Sequence, residues 1–182
     1  MVSKVISFIF IILLSPIFLI IAIVITIDDG FPILFKQKRI GRNNIHFLIY
    51  KFRTMKKETP DIATHLLRKD KSLYTNVGPF LRKFSLDELP QLLNIFKGDM
   101  VFIGPRPSLH NQDDLISLRK DKEIHLLIPG ITGWAQVNGR DKLTIAEKVE
   151  MDFYYKKHKS FFLDIKIIWM SIIKVFRSED II

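Results

Sequence analysis

The sequence predicts an α/β fold, rich in helix, with a small β-hairpin and an N-terminal membrane anchor. Three observations carry that expectation. An uncharged apolar run extends from Val5 to Ile27, two short apolar segments flank Gly41-Arg42-Asn43-Asn44, and helical spacing of apolar residues recurs through much of the remainder. The expected division is an anchor over residues 1–30 and one further domain over residues 31–182.

The anchor, as a straight helix, would be about 34 Å long at about 1.5 Å per residue, enough to cross a bilayer. It ends in Ile27-Asp28-Asp29, without the small residues that a signal peptidase prefers, so it is expected to be retained. Ser15-Pro16 interrupts it. Pro16 cannot donate to the carbonyl of Ile12, while the Ser15 hydroxyl can help satisfy the freed backbone. Hydropathy leaves two readings open: a kinked spanning helix, or a re-entrant helix-break-helix that enters and leaves by one face.

Beyond the anchor, Lys36, Lys38, Arg39, Arg42, Lys51 and Arg53 follow one another with no acidic residue between them. Such a cluster favours the cytoplasmic side and anionic lipid headgroups. Ile33-Leu34-Phe35 and Phe47-Leu48-Ile49-Tyr50 read as the hairpin strands, and on charge pattern alone Lys51 and Arg53 read as a solvated strand edge. Met55 to Lys71 is polar, with a helix expected over Asp61–Arg68. A helix from Val77 to Lys83 then leads into the central stretch.

That stretch, Phe84-Ser85-Leu86-Asp87-Glu88-Leu89-Pro90-Gln91-Leu92-Leu93-Asn94, sets two adjacent carboxylates in a basic chain. Ser85 and Glu88 fit an S-x-x-E capping box. Pro90 argues against a helix starting at Ser85, since its ring would crowd the carbonyl of Leu86. A helix beginning nearer Pro90 would instead leave Asp87 and Glu88 at its mouth, where backbone amides can also bind a phosphate.

A strand over Met100–Ile103 runs into Gly104-Pro105-Arg106-Pro107. Pro107 biases Arg106 toward extended backbone, so the arginine loses little entropy on forking to a phosphate; a plain turn remains the other reading. Asn111 to Ile128 is expected to be helical. In Pro129-Gly130-Ile131-Thr132-Gly133-Trp134-Ala135-Gln136-Val137-Asn138-Gly139-Arg140 the glycine spacing fits neither a P-loop nor a dinucleotide fingerprint. Turns would explain these glycines, and so would close backbone approach to a nucleotide, with Gln136, Asn138 and Arg140 as donors. Thr144 to His158 reads as a surface helix. Leu163 to Arg177 places Ile165, Ile168, Trp169, Ile172, Ile173 and Phe176 on one face, which suits either a core or an interfacial helix lying in the headgroup plane.

Composition narrows the functions. Lys and Arg number 28 against 19 Asp and Glu, a formal charge of +9, leaving nucleic acid, anionic membrane or a phosphorylated substrate as partners. No cysteine is present, which excludes disulfides, thiolate catalysis and cysteine-ligated metal sites. His46, His65, His110, His125 and His158 show no ligand spacing. The anchor and the scarcity of exposed aromatic runs argue for no nucleic acid as partner. A non-enzymatic basic scaffold held at the membrane stands as the alternative to an enzyme.

The Ser-Pro-broken apolar segment, IYKFRTM, SLDELPQLLNIFKGDM, IGPRP and PGITGWAQVNGR, in this order, resemble the bacterial sugar transferases, the monotopic phosphoglycosyl transferases. The resemblance covers nearly the whole chain and points to the small, minimal type. Val101 departs from it, standing where many relatives have serine.

The resemblance implies transfer of sugar-1-phosphate from a UDP-sugar to a polyprenyl phosphate, usually undecaprenyl phosphate, with release of UMP, as the first membrane step of capsule, exopolysaccharide or glycoprotein glycan synthesis. It implies Asp87 as nucleophile, through a covalent phosphosugar-aspartyl intermediate, with Glu88 positioning or deprotonating a participant. It also implies Mg²⁺ as cofactor with Asp87 sharing in its binding. Lys51, Arg82 and Arg106 fall to phosphate or acceptor contact, and Gln136, Asn138 and Arg140 to the nucleotide-sugar. Ser15-Pro16 becomes the break of a re-entrant helix at the cytoplasmic face of the bacterial cell membrane. Anionic lipids and downstream glycosyltransferases complete the expected partners.

Overall fold

The computed structural model describes residues 1–57, 59, 73–139 and 142–177. The helix expected over Asp61–Arg68 and the candidate residue Arg140 lie outside the described residues.

The apolar N-terminal run folds as two helices, α1 (Val2–Leu13) and α2 (Ser15–Asp29), bent by 61° at Leu14. Among the described residues no single helix is long and apolar enough to cross a membrane, whereas this bent pair passes on length and composition. The break has the local chemistry that Ser15-Pro16 predicts. The Ser15 hydroxyl donates to the Ile12 carbonyl at 2.7 Å, taking the place of the amide hydrogen that Pro16 lacks.

Polar contacts seat α1 on the rest of the chain. Ser7, fully buried, donates to the Leu92 carbonyl at 2.5 Å, and the Lys4 ammonium donates to the Lys97 carbonyl at 3.0 Å. Both acceptors belong to α4 (Gln91–Lys97), which follows directly on the central acidic stretch. Along α2, Ile21 and Ile25 pack with Phe52 and Leu81. The C-terminal end of α2 is latched as well. Buried Arg53 pairs with the Asp29 carboxylate and donates to the Asp29 and Gly30 carbonyls, while Asp28 accepts from the Val77 amide and from Asn76. Arg53 is therefore an internal strut and not a solvated edge.

The hairpin forms as expected but its strands are longer. β1 (Leu34–Ile40) pairs antiparallel with β2 (His46–Phe52), from Leu34 opposite Phe52 to Ile40 opposite His46. Asn43 and Asn44 take left-handed backbone at φ 56° and 60°, a conformation asparagine tolerates better than most residues. Ile49 and Lys51, two apart on one face, turn toward the central stretch, while Phe52 turns toward α2.

After α3 (Gly78–Lys83), a single 3₁₀ turn, Leu86–Glu88, carries the two carboxylates, and Pro90 caps α4. The helix thus begins at Pro90 and the S-x-x-E capping box does not form. Ser85 has left-handed backbone, φ 54°, and its side chain caps nothing.

Within α4, Asn94 has no exposed surface. Its amide oxygen accepts from the Tyr50 amide at 3.0 Å and its nitrogen donates to the Leu48 carbonyl at 2.7 Å, so one side chain mimics a strand edge against β2. Asn94→Ala is expected to destabilise the protein by about 1–3 kcal/mol for each backbone group left unpaired. An unfolding midpoint unchanged from the parent protein would contradict this.

β3 (Val101–Ile103) pairs parallel with β4 (Gly130–Thr132), a stretch that the sequence had suggested as turns or as a close backbone approach to a nucleotide. The glycines flanking β4 are explained by protein contact. A Cβ on Gly130 would stand 2.1 Å from the Gly104 amide nitrogen, and one on Gly133 would stand 2.1 Å from the Gly104 carbonyl oxygen. Close approach is real, but the neighbour is the Gly104-Pro105-Arg106-Pro107 turn.

The expected helix over Asn111–Ile128 resolves into α5 (Asp113–Asp121) and a 3₁₀ turn at Ile124–Leu126. Short α6 (Trp134–Val137) precedes α7 (Ile145–His158), whose cap Thr144 completes a reciprocal capping box with Glu147. α7 is more than a surface helix, since it buries Val149, Asp152 and Tyr155. Burial pushes the Asp152 carboxyl up, and the Arg119 guanidinium beside it pulls it back down.

The last helix, α8 (Phe161–Arg177), packs Ile167 against Val137 and Tyr155. Its other flank is bare: Ile165 is 49% exposed and Trp169 64%. The core reading is thereby set aside for Ile165, Ile168, Trp169 and Ile172, while the Phe176 side chain lies outside the described residues. An uncovered apolar flank on α8 accompanies similarly uncovered residues such as Leu19, Ile23 and Ile27 on α2.

Candidate active site

The site forms where three segments distant in sequence meet. β2 supplies Lys51, the 3₁₀ turn supplies Asp87 and Glu88, and the turn after β3 supplies Arg106. The Lys51 ammonium lies 2.7 Å from the Glu88 carboxylate and 4.0 Å from that of Asp87. Arg106 approaches the same Glu88 oxygen at 3.4 Å. Lys51 retains only 15% of its side-chain exposure, so the solvated-edge reading fails for it too.

The two carboxylates are in different circumstances. Glu88 is held by both cations. Asp87, 6% exposed, accepts no hydrogen bond among the described residues, and Lys51 stands at the edge of ion-pairing distance. Burial pushes the Asp87 carboxyl above its ordinary value; Lys51 opposes the shift, Glu88 adds to it, and Arg82 and Arg106 oppose it more weakly. Burial likewise pulls the Lys51 ammonium down, against the upward pull of Glu88 and Asp87. A carboxylate desolvated in this way, and not tied up by donors, is a competent nucleophile toward phosphorus and a competent ligand for a hard cation.

Arg82 joins the charge field of Asp87 from α3. It donates to the Thr54 hydroxyl at 3.1 Å and to the Tyr74 hydroxyl at 3.0 Å, with its guanidinium 5.1 Å from the Tyr74 ring centroid. Ser85, just before the acidic turn, holds its unusual backbone where strain is commonly retained for function.

A cavity of about 340 Å³ opens beside Glu88 and Arg106. Phe10 of α1 and Leu14, at the break between α1 and α2, form one wall, and Val175 of α8 forms another. Gln136 and Lys174 add polar groups. Gln136 is buried, donates to the Ile131 carbonyl at 3.1 Å, and its amide oxygen has no partner among the described residues. Asn138 does not line this cavity; its side chain donates to the Trp134 carbonyl at 2.8 Å, closing α6.

No group of three or more histidine, aspartate or glutamate side chains that could hold a metal occurs among the described residues. Mg²⁺ commonly takes only one or two carboxylates and completes its shell with substrate phosphates and water. The open carboxylate of Asp87 fits that pattern.

The sequence reading missed several residues that mount the site. Thr54 and Tyr74 hold Arg82, Asn94 fixes α4 to β2, and Arg119 donates to the Arg106 carbonyl at 2.8 Å. A polar residue inside the apolar run Leu92-Leu93-Asn94-Ile95 was the available signal for Asn94. Arg119 had none.

Residues 1–178 match the family described as Bacterial sugar transferase. An uncharacterized sugar transferase, EpsL, of Bacillus subtilis is 44% identical over 169 residues, covering 92% of this chain and 81% of the relative. A UDP-N-acetylgalactosamine-undecaprenyl-phosphate N-acetylgalactosaminephosphotransferase of Aeromonas hydrophila is 39% identical over 88% of this chain. A UDP-glucose:undecaprenyl-phosphate glucose-1-phosphate transferase of Escherichia coli is 38% identical over 90% of it. The chain spans only 39% and 37% of the length of those two longer relatives.

Proposed function

The chain belongs to the bacterial sugar transferase family, and from that premise we propose that it moves sugar-1-phosphate from a UDP-sugar to undecaprenyl or a similar polyprenyl phosphate, releasing UMP. The relatives whose names specify a reaction are undecaprenyl-phosphate sugar phosphotransferases. One observation carries the assignment of the nucleophile: the buried Asp87 carboxylate accepts no hydrogen bond among the described residues and stands 4.0 Å from Lys51, while its neighbour Glu88 is bonded by Lys51 and Arg106.

In the first half-reaction an Asp87 carboxylate oxygen bonds to the sugar-bearing phosphorus. The bond from that phosphorus to the bridging oxygen breaks, and UMP departs with the electron pair. In the second, a phosphate oxygen of the lipid acceptor bonds to the same phosphorus, and the bond to Asp87 breaks, restoring the carboxylate. Lys51 and Arg106 offset charge on the phosphoryl oxygens as it develops. Glu88, bonded to both cations, orients them. Asp87, with phosphate oxygens of the donor, would hold Mg²⁺, which when bound would neutralise pyrophosphate charge.

The bend at Leu14, the bare apolar flanks of α1, α2 and α8, and the exposed basic residues Lys36, Lys38 and Arg42 support a re-entrant anchor at the cytoplasmic membrane face. The cavity wall formed by Phe10 and Leu14 then lets a lipid-borne acceptor reach the site without leaving the bilayer.

The test is UMP release from a panel of UDP-sugars, with and without polyprenyl phosphate and magnesium. With donor alone, intact-mass and peptide analysis should find a phosphosugar adduct on the peptide carrying Asp87. A scaffold would release no UMP, and an adduct on another residue would overturn the assigned nucleophile.

A further inference from the structure

Arg106 projects from a turn containing two prolines, whose backbone can donate few hydrogen bonds of its own, yet its side chain must meet Glu88 and a phosphate in a defined place. Two other arginines hold successive carbonyls of that turn. Arg119 of α5 donates to the Arg106 carbonyl at 2.8 Å, and Arg39 of β1 donates to the Pro107 carbonyl at 3.2 Å. Each is braced from behind. Arg119 is pinned by the carboxylate of Asp152 on α7, with bonds of 3.1 and 2.6 Å to one oxygen, and Asp152 is only 1% exposed. Arg39 is braced by the buried amide of Gln37, 2.9 Å from its Nε.

A buried ion pair is a costly device if stability is its only purpose, since apolar replacements of similar size often serve as well. Here the third donor of the guanidinium fork is directed at the backbone of a site residue. We propose that Arg119, oriented by Asp152, is a positioning residue that sets the reach of Arg106 toward Glu88 and the transferred phosphoryl group. This rests on the phosphoglycosyl-transfer reading and deepens it. The planar fork matters because it spans two acceptors, the carboxylate and the carbonyl, at fixed separation, which a lysine ammonium does not reproduce.

The experiment uses the full chain in detergent or nanodiscs. Arg119→Lys keeps a charge opposite Asp152 but loses the fork; the double change Arg119→Met with Asp152→Leu removes the pair without stranding either charge. The expected result is a fall in kcat of about 10- to 100-fold with the unfolding midpoint largely kept, and faster hydrogen exchange at the Gly104, Arg106 and Ser108 amides. Placed in an Arg106→Ala background, Arg119→Lys should cost little further activity, because the side chain it positions is gone. Full turnover in folded Arg119→Lys, or an equal loss with and without the Arg106 side chain, would overturn the proposal. If the parent protein released no UMP, the transferase reading would fall separately. Amide exchange in the turn would still decide whether Arg119 holds it.

Discussion

Asp87→Asn is expected to abolish UMP release, by about 10³-fold or more, and to make the protein more resistant to heat at any pH where the parent carboxylate is ionised. The two effects have one cause. Burial raises the folded-state pKa of Asp87 above its ordinary value of 3.8, so the fold favours the protonated acid. That stabilising contribution is complete below the unfolded value and is lost as pH rises through the raised folded value. Above that raised value the parent protein has lost it, and asparagine, which cannot ionise, relieves the penalty of a desolvated anion. The unfolding midpoint should rise by about 2–4 °C for each kcal/mol relieved. Because attack requires the carboxylate, the acid limb of kcat/KM should lie above 3.8. Retained turnover, or an acid limb at the ordinary carboxylate value, would defeat the assignment.

Lys51→Ala should also be nearly inactive but shift stability in the opposite direction. It removes the 2.7 Å partner of Glu88 and the cation nearest Asp87, leaving two carboxylates side by side in a largely buried place. Breaking a buried pair from one side costs about 3–5 kcal/mol, moderated here because Arg106 still reaches Glu88. The activity loss, about 10²- to 10³-fold, is of the size seen when a fixed electrostatic contact to developing charge is removed. Circular-dichroism melts of both variants, alongside turnover, separate the two contributions. A Lys51→Ala protein as stable as its parent would show that Lys51 is not holding the dyad.

The sequence made some of this site readable and hid the rest for identifiable reasons. Local chemistry was legible: Ser15-Pro16 announced a break, and the Ser15 hydroxyl does reach the Ile12 carbonyl. Pro90 correctly moved the helix start past the carboxylates. Asp87 and Glu88 were conspicuous as adjacent acids in a basic chain. Lys51 looked like a solvated strand residue because its partner is 37 residues away, beyond the reach of any period of strand or helix. The parallel pairing of β3 with β4 was hidden similarly, since three residues beginning in glycine carry too little pattern to identify a strand. Arg119 and Asp152 each read as ordinary charged residues on helices, and only the packing of α5 against α7 brings them together.

The way α1 is moored has a mechanical consequence. Through Ser7 and Lys4 the first helix grips both ends of α4, and α4 begins four residues after Asp87, at Gln91. A displacement of that helix is therefore expected to reach the Asp87 turn through α4. Under the proposed re-entrant reading, the helix pair would serve as a gauge that holds the Asp87 carboxylate at a set height above the surface it rests upon.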